Sequence, residues 1–408
     1  MNPISSSLTT GRPSATETEL LIIGAGPYGL ATAAAAQAVG LQPVVVGEPM
    51  EFWRRNMPAG MLLRSSLDWH MDPEGRHTLA AYVVENRLAA GDFDPIPLEL
   101  FIDYAQWFRA TKGIEVQRTR VRDVHRSGGR LEATLENGYR LRAKAIVVAP
   151  GVERFTRLPS WVGRALPQER YSHTAHLGHP RRLAGARCLI VGGRQSAFET
   201  AALLAEAGAE RVDVVHRQAA PRFTHADWGF VEPLVERTLR WPGWFRTLPA
   251  AQRSAIERRF WAEGRLKLEP WLTPRLARPE IRRWSHATVT WCVERTDGTI
   301  LATLSSGEIL NVDYVILATG CRADLARLPY LAGVIEGVQI AGGFPMLDRS
   351  FQTSVQGLYF TGFAATRDFG PFFGFLRGAT AAATIIARAL SEPATAANDG
   401  RDRRRAAA

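Results

Sequence analysis

Cysteine is scarce in this sequence, which has only three in 408 residues. Cys188, Cys292 and Cys321 lie far apart, and no C-x-x-C pair is present. This spacing argues against the redox dithiol of a disulfide reductase and against a structural zinc site, since both need cysteines at short intervals. Three unpaired cysteines fit a reducing compartment, so we expect a cytoplasmic protein.

Long apolar runs are also absent. The chain has no stretch of about 18 apolar residues, so we expect no membrane-spanning helix. Its first residues, MNPISSSLTTGRPSATETE, lack the basic region followed by an apolar region that marks a secretory signal. We expect disordered tails at residues 1–18 and 392–408, because such polar segments cannot bury enough apolar surface to fold.

Lysine is nearly missing as well. The net charge of +10 would by itself suit nucleic acid or an anionic membrane. However, only Lys112, Lys144 and Lys267 are lysine, and the remaining 47 of the 50 basic residues are arginines scattered along the chain. Because these arginines form no single stripe, we expect no nucleic-acid partner.

The clearest positive signal lies near the N-terminus, in ELLIIGAGPYGLATAAAAQAVGLQPVVVGE (19–48). An apolar strand leads into G-x-G-x-x-G, followed by an alanine-rich helix and a second strand. Gly24 permits a tight turn, Gly26 lets the backbone approach a pyrophosphate, and Gly29 lets the helix pack closely on the strand. Glu48, 19 residues past Gly29, is placed to bond ribose hydroxyls. The pattern predicts a dinucleotide-binding βαβ unit.

A second such unit, ARCLIVGGRQSAFETAALLAEAGAERVDVVHR (186–217), lies between two strands that end in small-residue turns. These are AKAIVVAPG (143–151) and DYVILATG (313–320). A later strand, GLYFTG (357–362), leads through FAATRDFGPFFG into a C-terminal helix. This order predicts an α/β fold in which a second Rossmann-like domain is inserted into the first.

The chain resembles the two-dinucleotide-binding-domain (class B) flavoprotein monooxygenases, which include flavin-containing monooxygenases, Baeyer–Villiger enzymes and lysine and ornithine N-hydroxylases. The resemblance spans about 20 to 390 and rests on GAGPYGL, FWRRNMPAGMLLRS, GGRQSAFE and DYVILATG. Trp53, Gly60 and Met61 match the N-hydroxylase pattern beside the flavin, whereas Leu62 stands where those enzymes commonly carry glutamine. The resemblance implies a glutathione-reductase-like fold. Its FAD domain would cover 19–158 and 317–391, and its NADPH domain 159–316, with a helical insertion at about 218–285.

The resemblance also implies a reaction, in which NADPH reduces FAD and a C4a-(hydro)peroxyflavin formed with O2 oxygenates a small-molecule substrate. The residues expected at the FAD are Gly24, Gly26, Pro27, Tyr28, Gly29, Glu48, Trp53, Arg54, Met61, Leu62, Val121, Ala149, Pro150, Gly151, Gly362, Phe363, Gly370, Pro371 and Phe372. Those expected at NADPH are Gly192, Gly193, Arg194, Gln195, Ser196, Arg217, Ala318, Thr319 and Gly320. No catalytic residue and no metal site is assigned, and isolated histidines such as His173 are interpreted as surface or loop residues.

An amine nitrogen is the favoured site of oxygenation. Of the Baeyer–Villiger fingerprint F-x-G-x-x-x-H, only His173 is kept, since Pro167 and Glu169 replace the aromatic residue and the glycine. The alternatives are a Baeyer–Villiger or S-oxygenating relative, and a flavoprotein oxidase or dehydrogenase with a vestigial nicotinamide domain. A flavin-binding protein without turnover is a third, and a homo-oligomer remains possible.

One residue departs from the nucleotide-binding pattern. Arg194 occupies the position in GGRQSA where the second glycine is expected, and its Cβ would crowd a pyrophosphate. Three interpretations stay open: the arginine impairs NADPH binding, it is recruited as a phosphate ligand, or the domain is a scaffold. Arg217, at the end of the strand RVDVV, can pair with the 2′-phosphate of NADPH and favours a working site.

Two aromatic segments have no assigned role. The tryptophans and phenylalanines of residues 224–266 either pack the helical insertion onto the nucleotide domain or form a lid over the substrate. In FGPFFGF (369–375), a helix beginning near Phe372 would direct its N-terminus at the flavin, and its phenylalanines would face the substrate.

Overall fold

The fold is described from a computed structural model that covers residues 15–89 and 93–392. Most of the two predicted tails lies outside these residues. The first strand begins at Thr16, three residues before the predicted domain start at 19, and pairs there with Leu141. None of the described helices is long and apolar enough to cross a membrane.

The strands follow one another along the chain in a pattern typical of two α/β domains. They are β1 (Thr16–Ile23), β2 (Pro43–Val46), β3 (Leu62–Leu63), β4 (Ile96–Pro97), β5 (Val116–Gln117), β6 (Val121–Ser127), β7 (Arg130–Leu135), β8 (Arg140–Val148), β9 (Tyr171–His173), β10 (Arg187–Val191), β11 (Arg211–His216), β12 (Ile281–Ser285), β13 (Val289–Glu294), β14 (Ile300–Leu304), β15 (Ile309–Val312), β16 (Tyr314–Leu317), β17 (Ile340–Ala341), β18 (Phe344–Pro345) and β19 (Leu358–Phe360).

The helices vary from single turns to fourteen residues. The α-helices are α1 (Pro27–Ala38), α2 (Leu79–Glu85), α3 (Leu98–Thr111), α4 (Val162–Ala165), α5 (Gln195–Glu206), α6 (Val231–Arg240), α7 (Trp244–Thr247), α8 (Ala250–Arg259), α9 (Leu272–Leu276), α10 (Ala332–Ile335), α11 (Thr366–Phe369) and α12 (Ala379–Ser391). Two π-helical turns cover Phe52–Asn56 and Phe260–Arg265. Single 3-10 turns cover Glu153–Phe155, Gln168–Arg170, Thr174–His176, Pro180–Leu183, Leu325–Arg327, Pro329–Leu331, Gly362–Ala365, Pro371–Gly374 and Leu376–Gly378.

The first sheet has the strand order β5-β2-β1-β8-β7-β6, and β19 pairs with the C-terminal end of β8. β1 runs parallel to β2 and β8, whereas β6, β7 and β8 form an antiparallel meander. β1 ends in the run LLII, which is almost fully buried because α1 and α12 pack together against the sheet. This is the predicted FAD domain.

The second sheet is entirely parallel, in the order β12-β11-β10-β16-β9. α5 and α9 pack on one face, around Phe198 and Leu272. The antiparallel sheet β13-β14-β15 packs on the other face, around Ile300 and Val312. The parallel domain matches the predicted inserted unit, whereas the three-stranded sheet was not predicted.

Two segments of the chain connect the domains, and they run side by side. The outgoing crossing follows β8 and the returning one follows β16, and Thr156 and Cys321 form a β-bridge between them. The Arg157 amide donates to the Gly320 carbonyl at 2.8 Å. The second domain is therefore inserted into the first, as the sequence predicted.

The helical insertion packs against the FAD domain, whereas the sequence left open whether its aromatic side chains would pack it onto the nucleotide domain or form a lid. Trp244 and Phe245 are buried in the same core as α12. Glu232 of α6 forms an ion pair with Arg377, and Arg246 donates to the Leu347 carbonyl at 2.6 Å. The insertion leaves one domain and caps the other, so it spans the cleft between them.

Candidate active site

A cleft of about 1580 Å³ runs between the two domains and beneath the insertion. A pocket for one drug-sized ligand typically measures about 300–1,000 Å³, so this cleft has room for more than one molecule. The glycine turns after β1 and β10 both face it, as do the small-residue turns after β8 and β16. Four loops at the carboxyl ends of parallel strands thus meet in one place, where open α/β sheets bind their ligands.

The three glycines of the first turn have distinct steric environments. Gly24 has φ +113°, and a Cβ there would lie 2.3 Å from the Ala149 carbonyl oxygen. A Cβ at Gly29 would lie 1.8 Å from the Gly24 carbonyl oxygen. A Cβ at Gly26, by contrast, would meet no protein atom within 4 Å. Gly24 and Gly29 are therefore required by the packing of the turn, whereas the space beside Gly26 is open, and the pyrophosphate contact expected there stays a prediction.

The start of α1 closes around this space. The first residue of α1 is Pro27, which lacks an N–H group, but the first N–H groups of a helix have no partner within the helix in any case. The N-terminus of α1 faces the cleft with free backbone amides. Glu48 lines the same end of the cleft and lies 3.7 Å from Arg118 Nη1. The residues present suit a dinucleotide with a pyrophosphate on the helix and a ribose at Glu48.

Tyr28 links this turn to the C-terminal part of the chain. Its hydroxyl lies 2.5 Å from the Phe373 carbonyl oxygen and 2.7 Å from the Phe375 carbonyl oxygen. Burial raises the pKa of Tyr28 well above its ordinary value, so the hydroxyl is a permanent donor. Tyr28 therefore fixes the turn that carries Phe375 into the cleft.

The second glycine turn repeats the geometry of the first with one exception. Gly192 has φ +154°, and a Cβ there would lie 2.5 Å from the Ala318 carbonyl oxygen, as at Gly24 and Ala149. A Cβ at Gly193 would lie 2.5 Å from His216 Cβ, so that glycine is needed for packing. Arg194, the N-cap of α5, has φ −121°, which any residue adopts. The arginine therefore causes no backbone strain.

The side chain of Arg194 extends toward the insertion. Its guanidinium carbon lies 4.0 Å from the ring centroid of Trp261, within the range of a cation–π interaction. Burial, and secondarily the charge of Arg217, lower the pKa of Arg194 from its ordinary value. The side chain is thus held beside the cleft, next to a second cation.

Replacing Arg194 with glycine tests how the arginine affects NADPH. If the guanidinium is recruited as a phosphate ligand, which is the interpretation that we favour, binding should weaken by about 1.5–3 kcal/mol, because the change removes a charged contact. An NADPH titration of both proteins, followed through flavin absorbance without oxygen, gives the comparison. Tighter binding by the variant would instead mean that the Cβ crowds the pyrophosphate, and unchanged binding would point to a scaffold.

Most residues predicted from the sequence line this cleft. At the FAD side they are Gly24, Gly26, Pro27, Tyr28, Gly29, Glu48, Trp53, Met61, Leu62, Ala149, Pro150, Gly151, Gly362, Phe363 and Pro371. At the nicotinamide side they are Gly192, Gly193, Arg194, Gln195, Ser196, Arg217, Ala318, Thr319 and Gly320.

Four predicted residues do not line the cleft. Arg54 is exposed and donates to Gln106 at 3.2 Å, and Val121 is buried at the start of the edge strand β6. Phe372 is buried in the core. Gly370 packs so closely on the Phe372 ring that an added Cβ would lie 2.6 Å from it. These positions belong to the surface or to the core of the FAD domain.

The predicted helix at Phe372 is wrong. Two 3-10 turns replace it, Gly370 has φ +103°, and α12 begins only at Ala379. Phe372 and Phe373 point into the core, where they are 1% and 0% exposed. Phe375, by contrast, lines the cleft. Of the phenylalanines expected at the cleft, only Phe375 lies there among these three. It reaches the cleft by a backbone conformation that the sequence did not predict.

Trp228 and Phe260 of the insertion pack with Trp69 and Phe375 of the FAD domain, and we call these four residues the aromatic wall. The ring of Trp228 lies 6.0 Å from Trp69 and 5.4 Å from Phe375, and Phe260 lies 5.3 Å from Phe375. All four side chains line the cleft. Of the two roles left open for the insertion, these positions favour a lid over a substrate.

His173 is buried, contrary to the expectation for the histidines. It accepts from the Ala175 amide at 3.0 Å, and its Nε2 lies 3.1 Å from the Gly320 carbonyl oxygen. Burial, with the nearby His176, lowers the pKa of His173 to about 4, so the ring is neutral. Its place is at the crossing between the domains, where it positions the turn that contains Gly320.

Glu199 is a second residue that sequence analysis missed. It is 2% exposed on α5, it lines the cleft, and it accepts from the Leu62 amide of β3 at 2.7 Å. Burial raises its pKa to about 7, against the opposing effect of that hydrogen bond. This contact joins the two domains beside the cleft. Only tertiary packing reveals it, since α5 resembles any amphipathic helix.

The thiols offer no redox pair. All three cysteines are free, and burial raises the pKa of Cys188 to about 12 and that of Cys292 to about 11. Burial also raises the pKa of Cys321. Thiolates are the reactive form, so these residues are poor nucleophiles. Among the described residues no cluster of histidine, cysteine or carboxylate side chains could hold a metal ion.

Known proteins resemble this chain in sequence and in fold. The FAD-dependent urate hydroxylase of Xanthomonas campestris is 26% identical over 340 residues, which is 78% of this chain and 68% of that protein. The ornithine N-hydroxylase of Kutzneria sp. 744 has a TM-score of 0.77 at 18% identity, covering 92% of this chain and 99% of that one. A flavin-containing monooxygenase from Stenotrophomonas maltophilia has a TM-score of 0.66 at 20% identity, covering 92% and 98%.

A family model described as "Pyridine nucleotide-disulphide oxidoreductase" matches residues 21–241, which is more than half of the chain. The match includes both glycine turns. The predictions of an oxidoreductase and of two dinucleotide-binding domains are confirmed, and the predicted cofactors, FAD and NADPH, are those of this family. The chain therefore belongs to the pyridine nucleotide-disulphide oxidoreductase family.

Proposed function

We propose that this protein is an FAD- and NADPH-dependent monooxygenase of a small-molecule substrate. The observation that carries the proposal is that two phosphate-binding turns face one cleft, which a helical insertion closes with aromatic side chains. A reductase that passes electrons to a partner protein has no need of such an enclosed space. The relatives named as monooxygenases and hydroxylases support the same interpretation.

The first turn fits FAD. Gly26 leaves the approach to the α1 N-terminus free of side-chain atoms, and Glu48 lies at the end of β2 where a ribose would bind. Bound FAD would accept hydride from NADPH and use O2 to oxygenate the substrate. The chain's own contribution is to hold both nucleotides with their reactive ends together and to keep bulk water away.

The second turn fits NADPH, and Arg217 is proposed to distinguish it from NADH. This residue follows β11, is exposed at the cleft, and forms no ion pair with any residue that the structure describes. A guanidinium at this position can pair with the 2′-phosphate, a contact of about 1.5–3 kcal/mol.

Replacing Arg217 with alanine is therefore expected to remove most of a preference for NADPH over NADH. The rates of flavin reduction by the two nucleotides, measured by stopped flow in parent and variant, give the result. Arg222→Ala, another exposed arginine a few residues along the chain, is the matched control. Equal rates with both nucleotides in the parent would contradict the role of Arg217.

The proposed target atom is an amine nitrogen. The motif around Met61 resembles the N-hydroxylases, and the fold is shared with an ornithine N-hydroxylase over 92% of the chain. The urate hydroxylase among the relatives provides the alternative of a ring atom. Product analysis by mass spectrometry with 18O2 would separate these outcomes, because a hydroxylamine and a ring alcohol fragment differently.

The competing function is an oxidase or dehydrogenase whose nicotinamide domain has lost its role, and Arg194 is the observation that favours it. Mixing the FAD-loaded protein with NADPH under anaerobic conditions decides between them. Bleaching of the flavin absorbance is expected for the monooxygenase. A flavin that stays oxidised in excess NADPH, yet bleaches with a reduced substrate, would establish the competing function.

A further inference from the structure

Arg265 lies in the insertion, at the end of the π-helical turn Phe260–Arg265, and its side chain lines the cleft. Its Nε is buried without a hydrogen-bond partner. Within residues 15–89 and 93–392, no carboxylate forms an ion pair with it. The side chain as a whole is only half-buried, but a buried N–H donor without an acceptor is costly, because its lost hydration is not compensated. Such an arrangement indicates a missing anionic partner.

Aromatic rings surround this guanidinium. Its central carbon lies 4.7 Å from the ring centroid of Phe375 and 5.6 Å from that of Trp261. The other members of the aromatic wall adjoin Phe375, and Gly264 packs directly against the Trp228 ring. A planar ring placed here would find aromatic surfaces to stack against and a cation at one edge.

The charges nearby do not satisfy Arg265. Arg64 is already paired with Glu269 at 2.9 Å and donates to two carbonyls of the insertion, so that carboxylate is engaged. Burial first, and then the charges of Arg194 and Arg64, lower the pKa of Arg265 to about 10. The side chain therefore remains a cation near neutral pH.

Further donors in the same cleft lack partners. Trp228 Nε1 and Gln195 Nε2 are both buried, and neither has a hydrogen-bond partner within the described residues. Both residues line the cleft with Arg265. These three groups are all N–H donors, and the other buried unpartnered atom among the residues that line the cleft, the Thr361 hydroxyl oxygen, can donate as well as accept. The three N–H donors therefore lack acceptors within the described residues. This shortage fits a ligand that brings anionic oxygen atoms.

Two anions could supply the acceptors, the pyrophosphate of the nucleotide and an acidic group of the substrate. Trp261 lies next to both Arg194 and Arg265, with Arg194 at 4.0 Å on the side of the glycine turn. Arg265 is nearer to Phe375, which belongs to the FAD domain and to the aromatic wall. Of the two arginines, Arg265 is therefore the one that adjoins the aromatic wall, where a substrate ring would stack.

We propose that the substrate is a planar aromatic acid, whose anionic group binds Arg265 while its ring stacks on the aromatic wall. This inference rests on the proposed function. Arg265 is a specificity-determining residue in this arrangement. It binds and orients the acid, and takes no part in the oxygen transfer.

The experiment uses three aromatic acids as probes: benzoate, phenylacetate and indole-3-acetate, each compared with its neutral amide. Isothermal titration calorimetry on the FAD-loaded protein is expected to show that at least one acid binds more tightly than its amide. In Arg265→Met that acid should bind about 10- to 100-fold more weakly, as the loss of a charge-assisted contact predicts, while the amide is unaffected. Arg253→Met is the matched control, because Arg253 also lines the cleft but already donates to the Arg246 carbonyl.

A second pair of measurements separates substrate from nucleotide. Arg265→Met should leave the affinity for NADP+ unchanged, whereas Arg194→Gly should alter it. The melting temperature of the ligand-free Arg265→Met protein should equal or exceed that of the parent, because the change removes a buried N–H donor that has no partner. Arg265→Gln serves in place of the methionine variant if that variant does not fold.

Three results would overturn the inference: no acid binds the parent better than its amide, the variant binds the acid as well as the parent does, or the variant loses NADP+ instead. Because calorimetry needs no turnover, these outcomes are independent of flavin bleaching by NADPH. Acid binding at Arg265 without bleaching would leave the inference standing and reject the monooxygenase.

Discussion

Replacing Gly26 with alanine is expected to leave the protein folded and to remove most of its bound FAD. A Cβ at this position meets no protein atom within 4 Å, and φ is −85°, so the fold tolerates a side chain. The pyrophosphate, however, would be displaced from the amides at the start of α1. Loss of two charge-assisted hydrogen bonds, each worth about 1.5–3 kcal/mol, predicts at least about a 100-fold loss of affinity.

The matched variant is Gly29→Ala in the same turn, where the added Cβ would lie 1.8 Å from the Gly24 carbonyl oxygen. That change should destabilise the apoprotein itself. FAD titrations monitored by fluorescence quenching, together with thermal melts of both apoproteins, distinguish the two effects. If Gly26→Ala bound FAD as the parent does, the open space at Gly26 would not be the pyrophosphate site.

Replacing Glu199 with glutamine is expected to change how stability depends on pH. Burial raises the pKa of Glu199 from its ordinary 4.5 to about 7. Between these values the folded protein holds a proton that the unfolded chain has released, so stability falls as pH rises through this window. At about 1.4 kcal/mol per pKa unit, the fall is at most about 3.5 kcal/mol.

Glutamine keeps the acceptor for the Leu62 amide and removes the titration. The melting temperatures of parent and Glu199→Gln should therefore coincide near pH 4.5 and diverge toward pH 8, where the variant melts higher. Glu210→Gln, an exposed acid on the same domain, is the control and should leave the slope unchanged. Parallel melting curves for parent and Glu199→Gln would show that Glu199 is ionised throughout.

Local spacing made the two glycine turns predictable. Gly24 and Gly192 are followed by helices at fixed distances, and each packs against an alanine that ends a parallel strand, Ala149 or Ala318. The sheet β13-β14-β15 was missed, although Asp297-Gly298 is a hairpin signal and Gly298 has φ +79°.

The charged residues of the cleft could not be predicted in the same way. The burial of Glu199 and of Arg265 Nε depends on how the insertion and the two domains pack, and the residues adjacent in sequence do not encode that packing. The helix expected at Phe372 failed for a related reason. The positive φ of Gly370 and the Tyr28 hydroxyl impose a path on that segment that apolar patterning does not encode.

The position of Tyr28 gives the two ends of the cleft a thermodynamic connection. The residue belongs to the turn proposed to bind FAD, and its hydroxyl holds the carbonyls on either side of Gly374, next to the ring of Phe375. An aromatic ligand on that ring and FAD on that turn therefore act on one hydrogen-bonded unit. Thermodynamic linkage makes the effect reciprocal. If bound FAD changes the affinity for the aromatic ligand by some factor, the bound aromatic ligand changes the affinity for FAD by the same factor. Where that factor exceeds one, retention of the flavin increases with the supply of the aromatic ligand.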